Sequence, residues 1–437
     1  MDGHSAPQEK VNDGSANILS IGGERDRSKR PERQVRRAEN TFTAALWLFH
    51  IPERDGKMTD AMVEALCRQE PQLRKIDLSN SNITDRALEI VGTLPELESL
   101  SLAWTAVTDA GVAHLSGSGR LREVNLQGTA TGDGALRALA GKPALRHLRT
   151  GNGVTDTGLA LLQEFPVFKR WQGGEPVVSL MSYEAEPNYL LLRGSFTDRG
   201  MAELAGLDGL FALNLDASGL NISAAGLAPL VKLPHLGWLA CDATDDHMPH
   251  IAEMPSLRFL GCQDTVAGDD GFSALSRSQS IEYIWGRRCH NLRTRGFTAL
   301  AAMPSLRGLS VSCKNVDDAG VATLPNFPAL RELMPMDVPD AGYRHIGRCT
   351  RLESLILMYC RDTGDAATEQ ITGLAHLTHY FASYTRITDR TPELLSQMQS
   401  LESITLDGCA GVTEAGVAHL ARLPRLKELR VSLKGTP

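Results

Sequence analysis

One phrase recurs about every 24 residues of this 437-residue chain, from Leu73 to the C-terminus. It reads Leu-x-x-Leu-x-Leu, a small residue, Val/Ile-Thr-Asp-x-Gly, and an apolar stretch that ends in Leu-Pro. Clear copies begin at Leu97, with its Thr-Asp phrase at 107–111, and at Leu401, with its phrase at 412–416. A unit this short cannot bury its apolar face alone, so neighbouring units must stack into a solenoid. The phrase therefore leaves little of the chain for a compact catalytic domain and favours a long binding surface.

Each part of the phrase predicts one element of secondary structure. The alternation in Leu-x-x-Leu-x-Leu is typical of a short strand with one buried face. Thr-Asp predicts a helix start, since Thr caps free N–H groups and Asp favours the positive end of the dipole; Thr108 and Thr413 are two such caps. Leu-Pro ends the helix, because the residue before proline disfavours helical geometry. We therefore expect an α/β horseshoe with a parallel sheet on its concave face and helices on its convex face.

The repeats divide the chain into three regions. Residues 73–437 form the predicted solenoid, and residues 41–72 form a degenerate first repeat or a cap for the open end of the core. Residues 1–40 are rich in Gly, Ser, Asn and charge, so we expect a disordered tail. The basic run Arg25–Arg37 is interpreted as part of a solvated tail; the alternative is a weak contact with an acidic partner or nucleic acid.

The interval between the repeats at Phe168 and Leu210 is nearly two periods long. It contains the Thr-Asp phrase Phe196–Gly200, which predicts a hidden repeat, and an irregular insertion near 172–189 precedes it. The remaining repeats are predicted to begin at Leu73, Leu97, Leu121, Leu145, Leu236, Leu257, Ile281, Leu306, Leu330, Leu352, Leu377, Leu401 and Leu426.

Charge and cysteine usage limit the class of protein. The net charge of −7 is spread along the chain, so the repeats carry no nucleic-acid footprint. No apolar run of membrane-spanning length and no secretory signal is found, which favours a cytoplasmic protein. The eight cysteines include no close pair. Cys289, Cys360 and Cys409 occupy a slot that other repeats fill with Ser or Thr, which predicts buried free thiols bonded to the turning backbone.

The phrase Asp407–Gly416 resembles the cysteine-containing class of leucine-rich repeats, as in F-box, ribonuclease-inhibitor-like and related bacterial proteins. The resemblance covers roughly residues 43–437 and implies the horseshoe fold and protein binding. Many eukaryotic members present substrates to ubiquitin ligases, a role that needs an F-box, and the segment before Leu73 contains no recognisable one. The even Thr-Asp-x-Gly pattern resembles the bacterial members.

One cluster has the residue types of a metal site. Cys241, Asp245, Asp246, His247 and His250 lie close together in sequence, and the two histidines could share a helical face. A Met-Pro pair interrupts that spacing and the cysteine fits a core position, so an ordinary polar loop is the favoured interpretation. The sequence contains no P-loop, dinucleotide fingerprint, nucleophile elbow or H-E-x-x-H motif. We therefore expect no enzyme, no metal and no cofactor.

Large apolar residues gather on the predicted concave face of the later repeats. Offsets two, four and six from the first leucine point away from the core, and early repeats place polar residues such as Lys75 and Asp77 there. Exposed aromatic patches usually mark interfaces, and Trp and Tyr dominate binding hot spots. The predicted partner-binding residues are Trp238, Phe259, Tyr283, Trp285, Met334, Met336, Ile356, Met358 and Phe381.

The sequence thus predicts a non-catalytic scaffold that binds a protein partner through the concave face of repeats 236–400, with Trp285 as the main anchor. A competing explanation of the patch is that the insertion, the tail or tight curvature covers it. An alternative function is an adaptor or effector that recruits a second component, in a ligase-like manner, through its N-terminal region.

Overall fold

The computed structural model describes residues 18–21, 58–171, 178–181, 188–215 and 222–432. These residues form two compact units. The first contains the chain up to Arg170 together with 189–204, and the second contains 205–215, 223–432 and the described part of 171–188. Each unit is an α/β leucine-rich-repeat solenoid in which short parallel strands alternate with short helices.

The described strands of the first unit are β1 (Ile18–Ile21), β2 (Lys75–Asp77), β3 (Ser99–Ser101), β4 (Glu123–Asn125), β5 (His147–Arg149) and β6 (Tyr189–Arg193). Its helices are α1 (Asp60–Gln69), α2 (Asp85–Val91), α3 (Asp109–Val112), α4 (Asp133–Leu139), α5 (Asp156–Leu159), α6 (Pro166–Lys169) and α7 (Asp198–Ala202), with 3-10 turns at Ala113–Leu115 and Ala160–Glu164. Strands β2 to β5 pair in parallel and in chain order, whereas β1 lies antiparallel to both β5 and β6.

The described strands of the second unit are β7 (Ala212–Leu215), β8 (Trp238–Cys241), β9 (Phe259–Gly261), β10 (Tyr283–Gly286), β11 (Gly308–Val311), β12 (Glu332–Met334), β13 (Ser354–Leu357), β14 (His379–Ser383), β15 (Ser403–Asp407) and β16 (Glu428–Ser432). Its α-helices are α8 (His247–Ala252), α9 (Asp269–Leu275), α10 (Thr294–Ala299), α11 (Asp318–Val321), α12 (Tyr343–Ile346), α13 (Asp365–Glu369), α14 (Arg390–Leu395) and α15 (Glu414–Ala418). The 3-10 helices are Ala224–Lys232, Leu300–Ala302, Leu324–Asn326, Asp340–Gly342 and His419–Arg422. All neighbouring strands pair in parallel and in chain order.

The core lies between the strands and the helices of each repeat. In β3 the side chain of Leu100 is buried while Ser99 and Ser101 are half-exposed, as the period-two pattern predicts. The following helical segment adds Val112 and Leu115, both fully buried. Sheet residues of the opposite set face away from the helices, and we call this side the helix-free face of the sheet.

The hidden repeat is confirmed, because β6 is followed by α7 at the Thr-Asp phrase. The repeat predicted to begin at Phe168 is wrong. That residue is buried inside α6 instead of preceding a strand, and Pro166 begins this helix with its preset backbone angle.

The N-terminal tail is not disordered throughout. Residues Ile18–Ile21 form β1, where the sequence predicted disorder. Composition reports only whether a segment can bury a core of its own, whereas β1 pairs with the backbone of two strands that lie far away in sequence. The rest of residues 1–40, and residues 41–57 of the predicted cap, lie outside the described residues.

At six interfaces in the described part of the chain, a carboxylate links one repeat to the threonine of the next. Asp85 accepts hydrogen bonds from the backbone N–H of Thr108 at 2.7 Å and from its hydroxyl at 2.6 Å. The Thr108 hydroxyl oxygen in turn accepts the N–H of Ala110 at 3.3 Å, which confirms the predicted helix cap. The same link joins Asp60 to Thr84, Asp133 to Thr155, Asp156 to Thr197, Asp365 to Thr388 and Asp389 to Thr413.

The cap prediction is wrong for Thr413. This residue has the extended backbone of a cap position, but its side chain makes no bond to the helix that follows. Its hydroxyl donates to Asp389 at 2.7 Å instead. The threonine of the phrase therefore serves the contact between repeats even where it does not serve its own helix.

The glycine of the phrase makes room for this carboxylate. A Cβ atom added to Gly111 would lie 2.3 Å from Oδ1 of Asp85, and one on Gly416 would lie 2.2 Å from Oδ1 of Asp389. These separations are far shorter than any real van der Waals contact. The glycine is therefore required by the close approach of the preceding repeat.

We expect Gly111→Ala to destabilise the protein by about 1–3 kcal/mol, because the new methyl group must push the Asp85 carboxylate away from the N–H and the hydroxyl of Thr108 that donate to it. Helix propensity alone predicts the opposite sign, a gain of about 0.5–1 kcal/mol. Urea unfolding followed by circular dichroism measures the difference. Gly117→Ala is the matched control, since nothing lies within 4 Å of its added Cβ. Equal stability of the two variants would contradict the proposed role of the glycine.

Candidate functional site

The nine predicted partner-binding residues lie within or directly after strands β8 to β14, on the helix-free face of the sheet. Trp285, Met358 and Phe381 are half-exposed. The prediction of an exposed patch is wrong for the other six, each of which is at most 7% exposed: Trp238, Phe259, Tyr283, Met334, Met336 and Ile356.

Stacking between neighbouring strands buries part of this patch. Trp238 and Phe259 lie directly opposite each other in β8 and β9, and their rings stack with centroids 5.4 Å apart and planes 12° apart. Tyr283 lies opposite Phe259 in β10 and continues the row. Because the same offset carries an aromatic ring in three successive repeats, the rings cover one another at the strand spacing.

The insertion covers the end of this aromatic row. In its described segment, 178–181, the side chains of Val178 and Leu180 are buried. The N–H of Leu180 donates to Oε2 of Glu332 at 3.4 Å. A Cβ on Gly308 would lie 2.4 Å from the Tyr283 ring and 2.9 Å from the Leu180 side chain, so both pack onto this glycine. The competing explanation from the sequence, that the insertion covers part of the patch, is therefore confirmed.

Glu332 is a half-buried carboxyl beneath this segment. Burial raises its pKa, although the N–H of Leu180 and the hydroxyl of Tyr283 stabilise the charged form. Burial also raises the pKa of Tyr283 to about 12, and the nearby Glu332 adds to the shift. A proton on Glu332 is therefore favoured by the same packing that holds the insertion against the sheet.

Two exposed tyrosines extend the accessible part of the patch. Tyr359 is 38% exposed and Tyr384 66% exposed, and both have left-handed backbones with φ of 63° and 53°. They lie at offset seven, within two residues of the ends of β13 and β14. The register of these strands pairs Ile356 with Phe381 and therefore places one tyrosine beside the other. Sequence reasoning missed them because it considered only offsets two, four and six.

Packing fixes the orientation of both rings. The guanidinium carbon of Arg287 lies 4.1 Å from the centroid of the Tyr359 ring. The ring of Tyr384 lies against Gly408, where an added Cβ would come within 2.5 Å of it. In the first unit Trp104 has the same left-handed backbone and packs against Gly128 in the same way. An aromatic residue at offset seven followed by glycine at that offset in the next repeat is the signal that could have found Tyr384, whereas Tyr359 is followed at that offset by Tyr384 itself.

We call the set Trp285, Met358, Tyr359, Phe381 and Tyr384 the accessible surface. It joins the half-exposed members of the predicted patch to the two exposed tyrosines. Arg287 follows Trp285 on the same face and reaches Tyr359, so it connects the β10 and β13 ends of this surface.

The residues of the metal candidate have other partners. Asp245 accepts the N–H groups of Gly268 and Gly271, each at 2.8 Å. The Nδ1 atom of His247 lies 2.6 Å from the hydroxyl of Thr244. Burial raises the pKa of the Cys241 thiol to about 12. The residues that the structure describes contain no group of three His, Cys, Asp or Glu side chains placed to hold a metal ion.

All eight cysteines are free, and the slot predicted from the sequence is confirmed. Cys289, Cys360 and Cys409 are buried, and their thiols point at backbone carbonyls of the preceding repeat: Cys262 at 3.9 Å, Pro335 at 3.6 Å and Ala382 at 3.7 Å. Burial raises the pKa of the Cys360 thiol to about 12, so little thiolate exists to act as a nucleophile.

The basic run Arg25–Arg37 lies outside the described residues. Among the helices that are described, none combines the length and the apolar character needed to cross a membrane.

We expect the stability of the wild type to fall relative to that of Glu332→Gln as the pH rises from about 4 to about 7. The folded state binds the Glu332 proton more tightly than the unfolded state does. The contribution of this carboxyl to the free energy of unfolding is therefore lost as the pH rises through its raised pKa. Glutamine does not ionise and escapes this loss. Melting temperatures across this range test the difference, with Glu353→Gln as the exposed control in the next repeat. If the difference in melting temperature between the wild type and Glu332→Gln does not change with pH, the raised pKa of Glu332 is contradicted.

The chain resembles several solved structures at low identity. No protein-family model matches the sequence. An internalin from Listeria monocytogenes is 17% identical, with 85% of this chain and 93% of that chain covered and a TM-score of 0.38. A leucine-rich-repeat protein of Leptospira interrogans is 12% identical over 85% and 88% of the two chains, with a TM-score of 0.39. The structure of a TLR13–ssRNA13 complex is 17% identical over 83% and 54%, with a TM-score of 0.46.

Proposed function

We propose that this protein is a non-catalytic scaffold that binds a protein partner through the accessible surface. One observation carries the proposal: two neighbouring, exposed tyrosines, Tyr359 and Tyr384, are held in left-handed backbone conformations. Such a conformation is an outlier for a bulky residue and costs of the order of 1–3 kcal/mol at each position. Asparagine and glycine fill the same turn elsewhere at lower cost, at Asn80 and Gly408. Trp104 has the same conformation in the first unit but is followed at that offset by Gly128, whereas the two tyrosines occupy it in successive repeats beside the apolar patch. We attribute this pair of exposed tyrosines to a contact that forms on binding.

The fixed orientation of the rings supports a role in recognition. Tyrosine supplies a large, amphipathic contact area and loses little conformational freedom on binding. Because Tyr384 already packs against Gly408 and Tyr359 against Arg287, each ring has one supported face and one side open to solvent. A partner therefore meets a surface that is organised before it binds, which lowers the entropy cost of association.

The remaining members of the predicted patch take two roles in this proposal. Trp285 is the central anchor, with Met358 and Phe381 beside it as adaptable apolar contacts. The six buried residues form the layer beneath and fix the strands that carry these side chains. An Arg287 guanidinium stacked on a ring keeps N–H groups at its edge free to meet carbonyl or carboxylate oxygens of a partner.

We also infer a cytoplasmic protein with repeats of the cysteine-containing class. Buried thiols at Cys289, Cys360 and Cys409 that bond the preceding repeat support the class, and eight free thiols fit a reducing compartment. The alternative, an adaptor that recruits a second component through its N-terminal region, rests mainly on residues 1–17 and 22–57, which lie outside the described part of the chain. The accessible surface is therefore the stronger proposal.

A site-specific photo-crosslinker identifies the partner. The full-length protein is expressed in its native host with p-benzoylphenylalanine in place of Tyr384, and separately in place of Glu89 on exposed α2. We expect one protein to be captured from the Tyr384 position and not from the Glu89 position. Identical capture from both positions would argue against recognition by the accessible surface.

Once that protein is purified, we expect Trp285→Ala and Tyr384→Ala each to weaken its binding by about thirtyfold, the effect of losing about 2 kcal/mol from an interface anchor. Calorimetry measures the affinity, and circular dichroism checks the fold. Trp104→Ala is the matched control, because Trp104 is an exposed aromatic residue with the same left-handed backbone in the first unit. A loss of affinity in the Trp104 variant equal to that in the other two would refute the proposal.

A further inference from the structure

The strand order of the first unit is interrupted between β5 and β6. Strands β2 to β5 follow one another in parallel, one strand for each repeat. In the described residues between β5 and β6 the chain forms no strand of its own, since the segment predicted to begin the next repeat lies in α6. Strand β1 takes this place and runs antiparallel to both neighbours, with Ser20 opposite Arg149 on one side and Leu191 on the other.

The helix side of the same repeats shows no such interruption. Asp156 accepts the N–H of Thr197 at 3.0 Å and also its hydroxyl, although 41 residues separate the two in sequence. Asp133 makes the same two bonds with Thr155, at 2.9 Å and 2.7 Å, across one ordinary repeat. Gly200 admits the Asp156 carboxylate as the other glycines of the phrase do. At these helix starts, the repeats of β5 and β6 are therefore direct neighbours.

Between these two repeats the sheet thus contains one extra strand, whereas the helix side contains no extra element. Adjacent strands lie about 4.8 Å apart, so β5 and β6 are separated by about 10 Å across β1. Without β1, the facing edges of β5 and β6 would present backbone N–H and C=O groups that need partners. The link from Asp156 to Thr197 holds the repeats together on the other side. The gap is therefore one strand wide and framed by two complete repeats.

We propose that the gap between β5 and β6 is an acceptor site for one extended, uncharged strand in antiparallel orientation. Strand β1 is its built-in occupant, and a partner's strand of the same chemistry displaces it. The sequence of β1, Ile-Leu-Ser-Ile, defines that chemistry: β-branched and apolar residues without charge, recognised mainly through their backbone.

Few pairings hold β1 in the gap. Gly22 and Gly23 follow the strand directly, and the stretch 22–57 separates it from the first described repeat. Four residues pair with β6 and only two of them with β5, so the bonds to be broken are few. A partner strand must compete with the high effective concentration of β1, because β1 belongs to the same chain. The site is distinct from the accessible surface, and its test is independent of the proposed function.

Two proline substitutions in the full-length chain are expected to release β1 from its place between β5 and β6. Successive N–H groups of a strand point to opposite neighbours, so Leu19→Pro/Ser20→Pro removes one donor toward β5 and one toward β6. Hydrogen–deuterium exchange with mass spectrometry then follows residues 147–149 and 189–193. We expect the amides of these strands that point at β1 to exchange at least about tenfold faster than in the wild type, whereas His147, whose N–H donates to the carbonyl of Arg122, should not change. The matched control, Asn12→Pro/Asp13→Pro, should leave them unchanged.

A synthetic peptide of residues 16–23 tests acceptance in trans. We expect it to restore the protection of 189–193 in the Leu19→Pro/Ser20→Pro variant, and a peptide with the same two prolines to have no effect. Unchanged exchange in the proline variant, or failure of the peptide to restore protection, would overturn the proposal.

The wild type provides a second measurement should the proline variant not fold. Excess peptide is then expected to speed the exchange of Ile18–Ile21 while 189–193 stays protected, because one strand replaces the other. No change in the exchange of Ile18–Ile21 at saturating peptide would overturn the proposal as well.

Discussion

The carboxylate at a helix start that bonds the helix start of the next repeat is the interaction on which the rest of the structure depends. A solenoid unit contacts only its neighbours, so its order is set one interface at a time. Asp85, for example, satisfies a backbone N–H and the hydroxyl of Thr108 at once, and Gly111 lets it approach. The phrase therefore encodes a contact between repeats as well as a helix start.

Variation in the phrase shows which part of this contact is essential. Asp109 bonds only backbone N–H groups, among them Gly132, because the next repeat has no threonine at that position. At another interface the roles are exchanged: the N–H of Asp317 donates to the hydroxyl of Thr294, and the Asp317 carboxylate caps its own helix at Gly320. The pKa of Asp317 is lowered chiefly by that N–H bond. An oxygen acceptor facing the next helix start is the common requirement.

The two faces of the sheet are packed by different kinds of side chain. On the helix side, leucines at alternate strand positions form the core that the repeat phrase predicts. On the helix-free face of the second unit, aromatic rings at the same offset stack from strand to strand, and the segment 178–181 covers the end of the row. Outside this second apolar layer, Trp285, Met358 and Phe381 are half-exposed, and Tyr359 and Tyr384 are exposed just past the strand ends.

The sequence by itself determined the repeat, the alternation of buried strand residues, the hidden repeat at Phe196–Gly200 and the cysteine slot. Each of these depends on residues within one unit, where local spacing decides which side chains face the core. Only the tertiary structure decided that Trp238, Phe259 and Tyr283 are buried, that Tyr359 and Tyr384 are exposed, and that Ile18–Ile21 fills the gap beside β6. These outcomes depend on contacts between strands of different repeats and on a segment distant in sequence. A period read along the chain specifies which face a residue occupies, whereas only the packed neighbours specify whether that face is covered.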